Sequence, residues 1–234
     1  MKDNRGVLTI AHTKPKYAWQ AVNLARSIRL RAPDLPLAVA TDLDPAAFKG
    51  AFEHVIPWDF SRWPGVLCKL EAYGMTPFET TLFVETDCLA VRSLHVVFDY
   101  FDGQQFAVFG RNEPTTSYFR SLELVRALIP SPTYPVFNGG LLYFRRSPLA
   151  EEIFRRAKEL SRLYDCLHLA RVRGGMESDE PLIGLAMAKA GLRATDDRRL
   201  DIMFAPERPL FHIDIDVLAG ECSFVRLGRV VRRR

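Results

Sequence analysis

Two carboxylates close an apolar segment of this chain. In TLFVETDCLAV, Thr81 to Val91, one residue separates Glu85 from Asp87. Alternate residues of an extended chain project to the same side, so both acids can reach one ligand. Such buried acids need a positive partner, and hard oxygen ligands favour Mg2+ or Mn2+, ions that commonly complete their coordination with substrate phosphates. The spacing therefore predicts a divalent cation carrying a diphosphate. A turn or helix cap is the alternative for such a pair.

The elements before this pair predict an α/β fold. The apolar run Gly6–His12 predicts a strand, and the apolar stripe of Tyr17–Arg31 predicts a helix. Strands are also predicted in LPLAVATD and FEHVIPWD, and a helical segment at Lys69–Tyr73 leads into the strand Thr81–Val84. Alternating strands and helices indicate a largely parallel sheet, in which ligands gather beyond the carboxyl ends of strands.

The second half of the chain has a more mixed pattern. A strand is predicted in FDGQQFAVFG, a loop or helix start in GRNEPTTSYF, and one strand with a glycine pair at its beginning in YPVFNGGLLYFRRSP. Helices are predicted over Leu149–Tyr164 and from Asp179, where Pro181 in the first turn and Gly191 after the end occupy favoured positions. A late strand is predicted in RPLFHIDIDVLAG. No repeat or linker is evident, which favours one domain.

The composition bounds the class of protein. A chain of 234 residues with 48% hydrophobic content can fill a sizeable core. No apolar run reaches the roughly 18 residues that span a bilayer, and the segment MKDNRGVLTIAHT does not have the pattern of a secretory signal. The four cysteines form no CxxC pair. We therefore expect a reducing compartment, and hence a cytoplasmic protein.

Basic residues concentrate in the segment RLGRVVRRR, although the net charge is only +4. A solvated tail is one interpretation of residues 226–234. The other is contact with an anionic partner or with the inner face of a membrane, where the protein would bind peripherally. No aromatic-interleaved basic patch accompanies this segment, so a nucleic-acid partner is not expected.

Four separated segments carry a family resemblance, and they occur in the family's order. They are LTIAHTKPKYAWQAVNLARSI, CKLEAYGMTPFETTLFVETDCLAVRSL, FNGGLLYF and SDEPLIGLAM. The chain resembles a GT-A glycosyltransferase and is most similar to the glycogenin-like and bacterial galactosyltransferase-like enzymes of family 8. The resemblance covers most of the chain up to Leu192. It implies a single-domain GT-A fold, a Rossmann-like α/β fold with a mixed, mostly parallel central sheet.

The resemblance implies roles for residues that hold the nucleotide. Ala11, Thr13 and Tyr17 match residues that hold the uridine, with Tyr17 placed to stack on the base. Lys69 matches a basic residue near the phosphates and ribose, and a solvated helix lysine is its alternative. Glu85 stands where the family has an aspartate that reaches the ribose or the metal, and its longer side chain can still reach.

Other matched residues would face the donor sugar. Asn138 and Gly139 match the sugar-lining segment, although Asn-Gly is also a common hairpin turn. Asp179 matches a carboxylate that binds sugar hydroxyls, and a helix N-cap is its alternative. Glu180 replaces the family's usual glutamine. This change is either inert or places a catalytic carboxylate under the anomeric carbon, where it could stabilise or attack an oxocarbenium-like centre.

The resemblance also implies a metal site. Asp87 matches the acid that binds Mn2+ or Mg2+ directly, together with Glu85. A third ligand is expected on a late strand, and His212 in LFHIDID matches it, with an ordinary half-buried histidine as the alternative. Asp214 and Asp216 lie on the same side of that strand and are fallback ligands.

The function implied by the resemblance is transfer of a hexose. The donor would be a nucleotide-diphosphate sugar, UDP-glucose or UDP-galactose, and the acceptor a hydroxyl of a saccharide, lipid-linked saccharide or protein, with retention of configuration. Residues 1–100 would form the nucleotide-binding half, residues 101–225 the donor-sugar and acceptor half, and residues 226–234 a basic tail. The family's G-x-x-K-P-W ending is not recognisable, and Arg226 or Arg229 could replace it.

Two rival functions remain at this point. A protein of the same fold could bind a nucleotide sugar without turning it over, as the missing ending suggests. A nucleotidyltransferase also builds a metal site at a strand end, but it usually has a glycine-rich first loop, which AHTKPKY lacks.

Overall fold

The computed structural model describes residues 4–197, 199–200, 213–226 and 229–233. The strands in these residues are β1 Arg5–Ala11, β2 Leu37–Thr41, β3 His54–Pro57, β4 Thr80–Val84, β5 Phe106–Ala107, β6 Gly110–Glu113, β7 Tyr134–Phe137, β8 Leu141–Arg145, β9 Ile213–Asp216, β10 Glu221–Arg226 and β11 Arg229–Arg233. The helices are α1 Pro15–Arg31, α2 Ala72–Met75, α3 His95–Tyr100, α4 Leu122–Leu128, α5 Pro148–Ser161 and α6 Asp179–Lys189, with 3-10 turns at Pro45–Phe48, Gly65–Glu71 and Arg173–Gly175. In this part of the chain, no helix combines the length and the apolar character needed to cross a bilayer.

A six-stranded sheet with the order β3-β2-β1-β4-β8-β5 forms the centre of the described fold. Strands β3, β2, β1 and β4 run parallel, whereas β8 is antiparallel to both of its neighbours, β4 and β5. Because β1, β2 and β4 are buried along nearly their whole length, they have the continuous apolar sequences typical of a covered parallel sheet. The structure confirms the predicted α/β class with a mixed, mostly parallel sheet.

Both faces of this sheet are covered by helices. Leu82 belongs to the core layer that contains Leu24 and Ile28 of α1. The next residue, Phe83, belongs to the opposite layer with Phe154 of α5 and Leu182 of α6. This alternation along β4 is the period-two pattern of a strand, and it fixes the strand's register between the two layers.

The structure corrects the predictions between residues 101 and 148. Only Phe106–Ala107 of the strand predicted in residues 101–110 joins the sheet. Residues 110–113, predicted as a loop or helix start, form β6 and pair with β7. The single strand predicted in residues 134–148 is two strands, since β7 pairs with β6 while β8 pairs with β4 and β5. Apolar runs stand on both sides of Asn138–Gly140, and the sequence does not reveal that they have different partners.

The C-terminal segment forms a three-stranded antiparallel sheet of β9, β10 and β11. Residues 229–233 were expected to belong to a basic tail, but they pair with β10 in a register that joins Val230 to Val225 and Val231 to Phe224. The β-branched pair between the arginines explains the strand. The predicted metal ligand His212 lies outside the described residues.

Candidate active site

Lys69 lies at the centre of the candidate site, in the 3-10 turn Gly65–Glu71. Its side chain is only 6% exposed, and its Nζ lies 2.9 Å from Glu85 Oε1 and 2.9 Å from Asp179 Oδ2. The first contact is a hydrogen bond, whereas the second is an ion pair without hydrogen-bond alignment. Nζ also donates to the Gly139 carbonyl at 3.4 Å. The interpretation of Lys69 as a solvated helix lysine is therefore wrong, and the residue joins three distant segments.

The charges of this group are strongly coupled. Burial acts to lower the pKa of Lys69, but the carboxylates of Asp179 and Glu85 outweigh it and raise that pKa above its ordinary value. Burial raises the pKa of Asp179 to about 6, against the opposing charge of Lys69 and with a further rise from the neighbouring Glu180 carboxylate. At neutral pH the buried lysine is therefore a cation between two carboxylates.

Gly139 packs directly against these charged groups. A Cβ atom at this position would lie 2.6 Å from Asp179 Oδ2 and 2.8 Å from Lys69 Nζ, closer than van der Waals contact allows. The loop around it is fixed by two hydrogen bonds, from Gly140 N to Asn138 Oδ1 at 2.8 Å and from Glu85 N to the Gly140 carbonyl at 3.0 Å. Residues 139–140 form a turn, as the alternative interpretation of Asn138–Gly139 predicted, but this turn does not close a hairpin, because β7 and β8 do not pair with each other. The role of this loop toward a donor sugar stays a prediction.

Glu180 is held by two donors. Its Oε1 accepts from Gly139 N at 2.9 Å, and its Oε2 accepts from the Tyr118 hydroxyl at 2.6 Å. Burial and the adjacent Glu180 charge raise the pKa of Tyr118, so this phenol stays protonated and donates. The carboxylate that replaces the family's glutamine thus has a fixed orientation.

The start of α6 places Asp179 and Glu180. The N-cap residue is Ser178, so Asp179 is not the N-cap, and its buried side chain pairs with Lys69 instead. Acids in the first turn of a helix are favoured by the helix dipole. Tyr164 supports this turn, since its hydroxyl accepts from Ser178 N at 3.0 Å.

The end of β1 lies beside the same 3-10 turn. Ala11 is buried, whereas Thr13 is exposed in a left-handed conformation with φ 70°, and its amide donates to Asp42 Oδ1 at 2.7 Å. His12 connects this loop to the turn that carries Lys69, with Nε2 3.2 Å from the Gly65 carbonyl. A non-glycine residue at positive φ is uncommon and often marks a functional loop.

Aromatic rings and an open cleft flank this loop. The His12 ring stacks on Phe60 at 4.7 Å and lies nearly parallel to Tyr17 at 6.3 Å between centroids. An open cleft of about 420 Å³ follows the ends of β2 and β3 and is lined in part by Asp42 and Trp58. Of the predicted nucleotide residues, Thr13 thus contacts the lining of this cleft through Asp42.

Glu85 and Asp87 are the carboxylates that the sequence assigned to a metal ion. Asp87 is exposed, and the Glu85 side chain is 35% exposed with one oxygen on Lys69. Within the described residues no group of three or more His, Cys, Asp or Glu side chains could hold a metal, and Asp216 instead accepts from Ala219 N at 2.7 Å. The donor set still fits a hard cation that takes only one or two protein carboxylates and completes its shell with phosphates and water.

Comparisons with known proteins show which solved structures share this architecture. No family model matches the chain, and no curated protein matches it. Solved structures match well: the galactosyltransferase LgtC with donor and acceptor sugar analogues has a TM-score of 0.58 at 17% identity, over 83% of this chain and 74% of LgtC. The glycosyltransferase GlyE of Streptococcus pneumoniae TIGR4 gives 0.54 at 12% identity, over 84% and 46%, and mouse xyloside xylosyltransferase 1 gives 0.52 at 16%, over 83% and 85%. The chain has the GT-A glycosyltransferase fold.

This GT-A fold brings together most of the predicted residues. The Lys69 cluster, defined as Lys69, Glu85, Gly139, Asp179 and Glu180, is joined by direct contacts. Ala11, Thr13 and Tyr17 lie between the end of β1 and the first turn of α1, where His12 contacts the 3-10 turn that carries Lys69, and Asp87 lies two residues beyond Glu85.

Three residues of the candidate site, Tyr118, Asp42 and His12, are not among the site residues predicted from the sequence. Tyr118 lies 62 residues from Glu180 in the chain, and no local pattern marks it. Asp42 follows the end of β2 in a parallel sheet, and that position is the signal that could have found it.

Proposed function

We propose that this protein is a metal-dependent glycosyltransferase that moves a hexose from UDP-glucose or UDP-galactose to an acceptor hydroxyl, with retention of configuration. The observation that carries the proposal is the convergence of Glu85, Gly139, Asp179 and Glu180 around the buried Lys69 at the carboxyl end of β4. The solved LgtC complex with donor and acceptor sugar analogues supports this class of substrate.

The proposal assigns the donor to the edge of the sheet where β1 and β4 end. Ala11, Thr13 and Tyr17 would hold the nucleoside beside the cleft that Asp42 lines. The loop at Asn138 and Gly139 would face the sugar, as would Asp179. Lys69 would act on the donor phosphates chiefly by holding the Glu85 carboxylate in position, since the Lys69 amine already contacts acceptors of the protein itself.

Glu85 and Asp87 would hold Mn2+ or Mg2+ together with the donor's diphosphate, and His212, or Asp214 in its place, would be a further ligand. When bound, such an ion neutralises charge on the departing diphosphate, an effect worth several kcal/mol. The chain's own contribution is to keep the two carboxylates in place. Lys69 does so for Glu85 through their hydrogen bond.

In the transfer, the bond from the anomeric carbon to the phosphate oxygen breaks and its electron pair leaves with the UDP. The acceptor oxygen bonds to the same carbon, and its proton passes to the departing phosphate. Glu180 would lie below the ring and stabilise the positive charge that develops there. Because Tyr118 and Gly139 hold both of its oxygens, this carboxylate needs no reorganisation during the reaction.

The acceptor would be a saccharide, a lipid-linked saccharide or a protein. A cytoplasmic enzyme that contacts the inner face of the membrane through residues 226–234 would suit a lipid-linked acceptor, because this segment has five arginines and no acidic residue.

Thermal shift with UDP-glucose and UDP-galactose, with and without Mn2+, tests the proposal. At a hundred times its Kd, a ligand stabilises the fold by about 2.7 kcal/mol, which is a shift of several degrees for a chain of this size. We expect that shift in the wild type, its loss in Asp87→Ala, and its retention in Asp102→Ala, an exposed acid just beyond α3.

The outcomes separate the rival functions. Slow donor hydrolysis together with binding supports a transferase, whereas binding without turnover in the presence of any acceptor supports a nucleotide-sugar-binding protein. An unchanged shift in Asp87→Ala removes the metal assignment. Absence of any UDP-dependent shift in the wild type refutes the proposed function.

A further inference from the structure

We propose that Tyr118 is a positioning residue that acts on the transfer reaction through Glu180. The inference rests on the proposed function, which places Glu180 next to the anomeric carbon. The Tyr118 hydroxyl lies 2.6 Å from Glu180 Oε2 and 3.3 Å from the Phe137 carbonyl. The carboxylate is the nearer and charged acceptor, so the single phenolic proton goes to it.

The position of Tyr118 is fixed independently of Glu180. Its carbonyl accepts from Ala170 N at 2.7 Å, and its neighbour Phe119 forms a β-bridge with Leu169. These contacts fix the backbone of Tyr118 and do not involve the carboxylate. Tyr118 is therefore a support for Glu180 rather than a side chain that follows it.

The same contacts fix the helix that carries Glu180. The Tyr164 hydroxyl donates to the Ala170 carbonyl at 2.8 Å and accepts from Ser178 N at 3.0 Å, immediately before α6 begins. A continuous series of hydrogen bonds thus runs from the start of α6 through Tyr164 and Ala170 to Tyr118, and returns to Glu180. Both the N-cap of the helix that carries Glu180 and the carboxylate of Glu180 are held by this series.

The second donor, Gly139 N, leaves Glu180 little freedom to turn. Its 2.9 Å bond to Oε1 acts on the opposite oxygen from the Tyr118 contact. Without the phenol, the carboxylate could rotate about the remaining bond. Displacement by about 1 Å at a reacting centre can lower a rate by about 100-fold.

Tyr118→Phe, made in the wild type and in Glu180→Ala, tests this role. We expect the single substitution to lower kcat by about 10- to 100-fold with donor KM changed less than about threefold. In Glu180→Ala it should have no further effect on kcat. Tyr73→Phe is the matched control, because it removes a hydroxyl that is hydrogen-bonded to the Ser147 backbone at 3.2 and 3.3 Å, and it should leave kcat within about threefold.

Thermal unfolding of the same proteins gives a readout that does not require activity. If the contact forms, the melting temperature falls by roughly 5 °C in Tyr118→Phe, and the losses in the double variant are not additive. An equal kcat loss in both backgrounds, or an active wild type with additive thermal losses, overturns the role of Tyr118 alone. A wild type without turnover refutes the proposed function and this role together.

Discussion

Replacing Lys69 with methionine removes the charge at the centre of the site while keeping a side chain of similar length. Asp179, which is 2% exposed, would then hold a buried charge with no cation beside it. The charge of Glu85 would be destabilised less, because its side chain is 35% exposed and water can screen it. Breaking a buried ion pair by removing one partner costs about 3–5 kcal/mol, so we expect a loss of this size in the free energy of unfolding at pH 7.5.

The loss of unfolding free energy in Lys69→Met should depend on pH, and the titration of the Asp179 carboxyl determines whether the loss grows or shrinks as the pH rises. Its pKa is about 6 in the folded protein, against an ordinary 3.8. A raised carboxyl pKa means that the folded state binds more protons between these values, so the contribution of this carboxyl to stability is greatest below about pH 4 and falls as the pH rises to about 6. Without Lys69 this pKa rises further, and the fall extends to higher pH. The difference between wild type and variant should therefore be smaller at pH 5 than at pH 7.5.

Urea unfolding at these two pH values measures the effect. Lys189→Met is the matched control, since Lys189 is exposed in the last turn of α6 and its loss should cost under about 1 kcal/mol at either pH. Adding Asp179→Asn to Lys69→Met should recover part of the stability at pH 7.5, because no charge is then left buried. A loss that is equal at both pH values and unrelieved by Asp179→Asn would refute the ion-pair reasoning.

Two further substitutions probe the support of the site. Gly139→Ala should lower the free energy of unfolding by about 2–4 kcal/mol and abolish donor binding, because its Cβ would overlap the Asp179 carboxylate. In the control Gly103→Ala the new Cβ meets no atom within 4 Å, and the loss should be about 1 kcal/mol because of the φ of 79°. Equal losses of the two variants in urea unfolding would contradict the overlap. Tyr164→Phe leaves the Ser178 amide without its acceptor and should cost about 1–3 kcal/mol, with faster amide hydrogen exchange at the start of α6 than in the wild type. Unchanged exchange there would contradict the bond.

The first half of the fold could be predicted from the sequence because its signals are local. The strands β1 to β4 are short apolar runs separated by helical or turn segments, and the predicted positions agree with the structure within a few residues. The second half depends on which strand pairs with which. The apolar pattern of residues 134–145 does not show that β7 and β8 have different partners, because that choice is made by packing between distant segments.

In the site, as in the fold, the local signals could be predicted and the contacts between distant segments could not. Glu85, Gly139, Asp179 and Glu180 were each identified in their own segment, but the sequence predicted a metal ion as the positive partner of the acids. In the structure, the partner of Glu85 is Lys69. A lysine flanked by Cys68 and Leu70 looks no different in sequence whether it is solvated or buried, since burial is decided by the loop and helix that close over it.

The reversed strand β8 has a consequence for how this site can change in evolution. Because β8 runs against β4, its entry loop reaches the edge where β4 ends, and two segments more than fifty residues apart meet through main-chain atoms. Glu85 N to the Gly140 carbonyl, and Gly139 N to Glu180, are contacts that use a peptide group on at least one side. Substitution cannot delete a peptide group, so such an edge can keep its shape while the residues around it diverge. A fold that persists at 17% identity is the outcome expected of that construction.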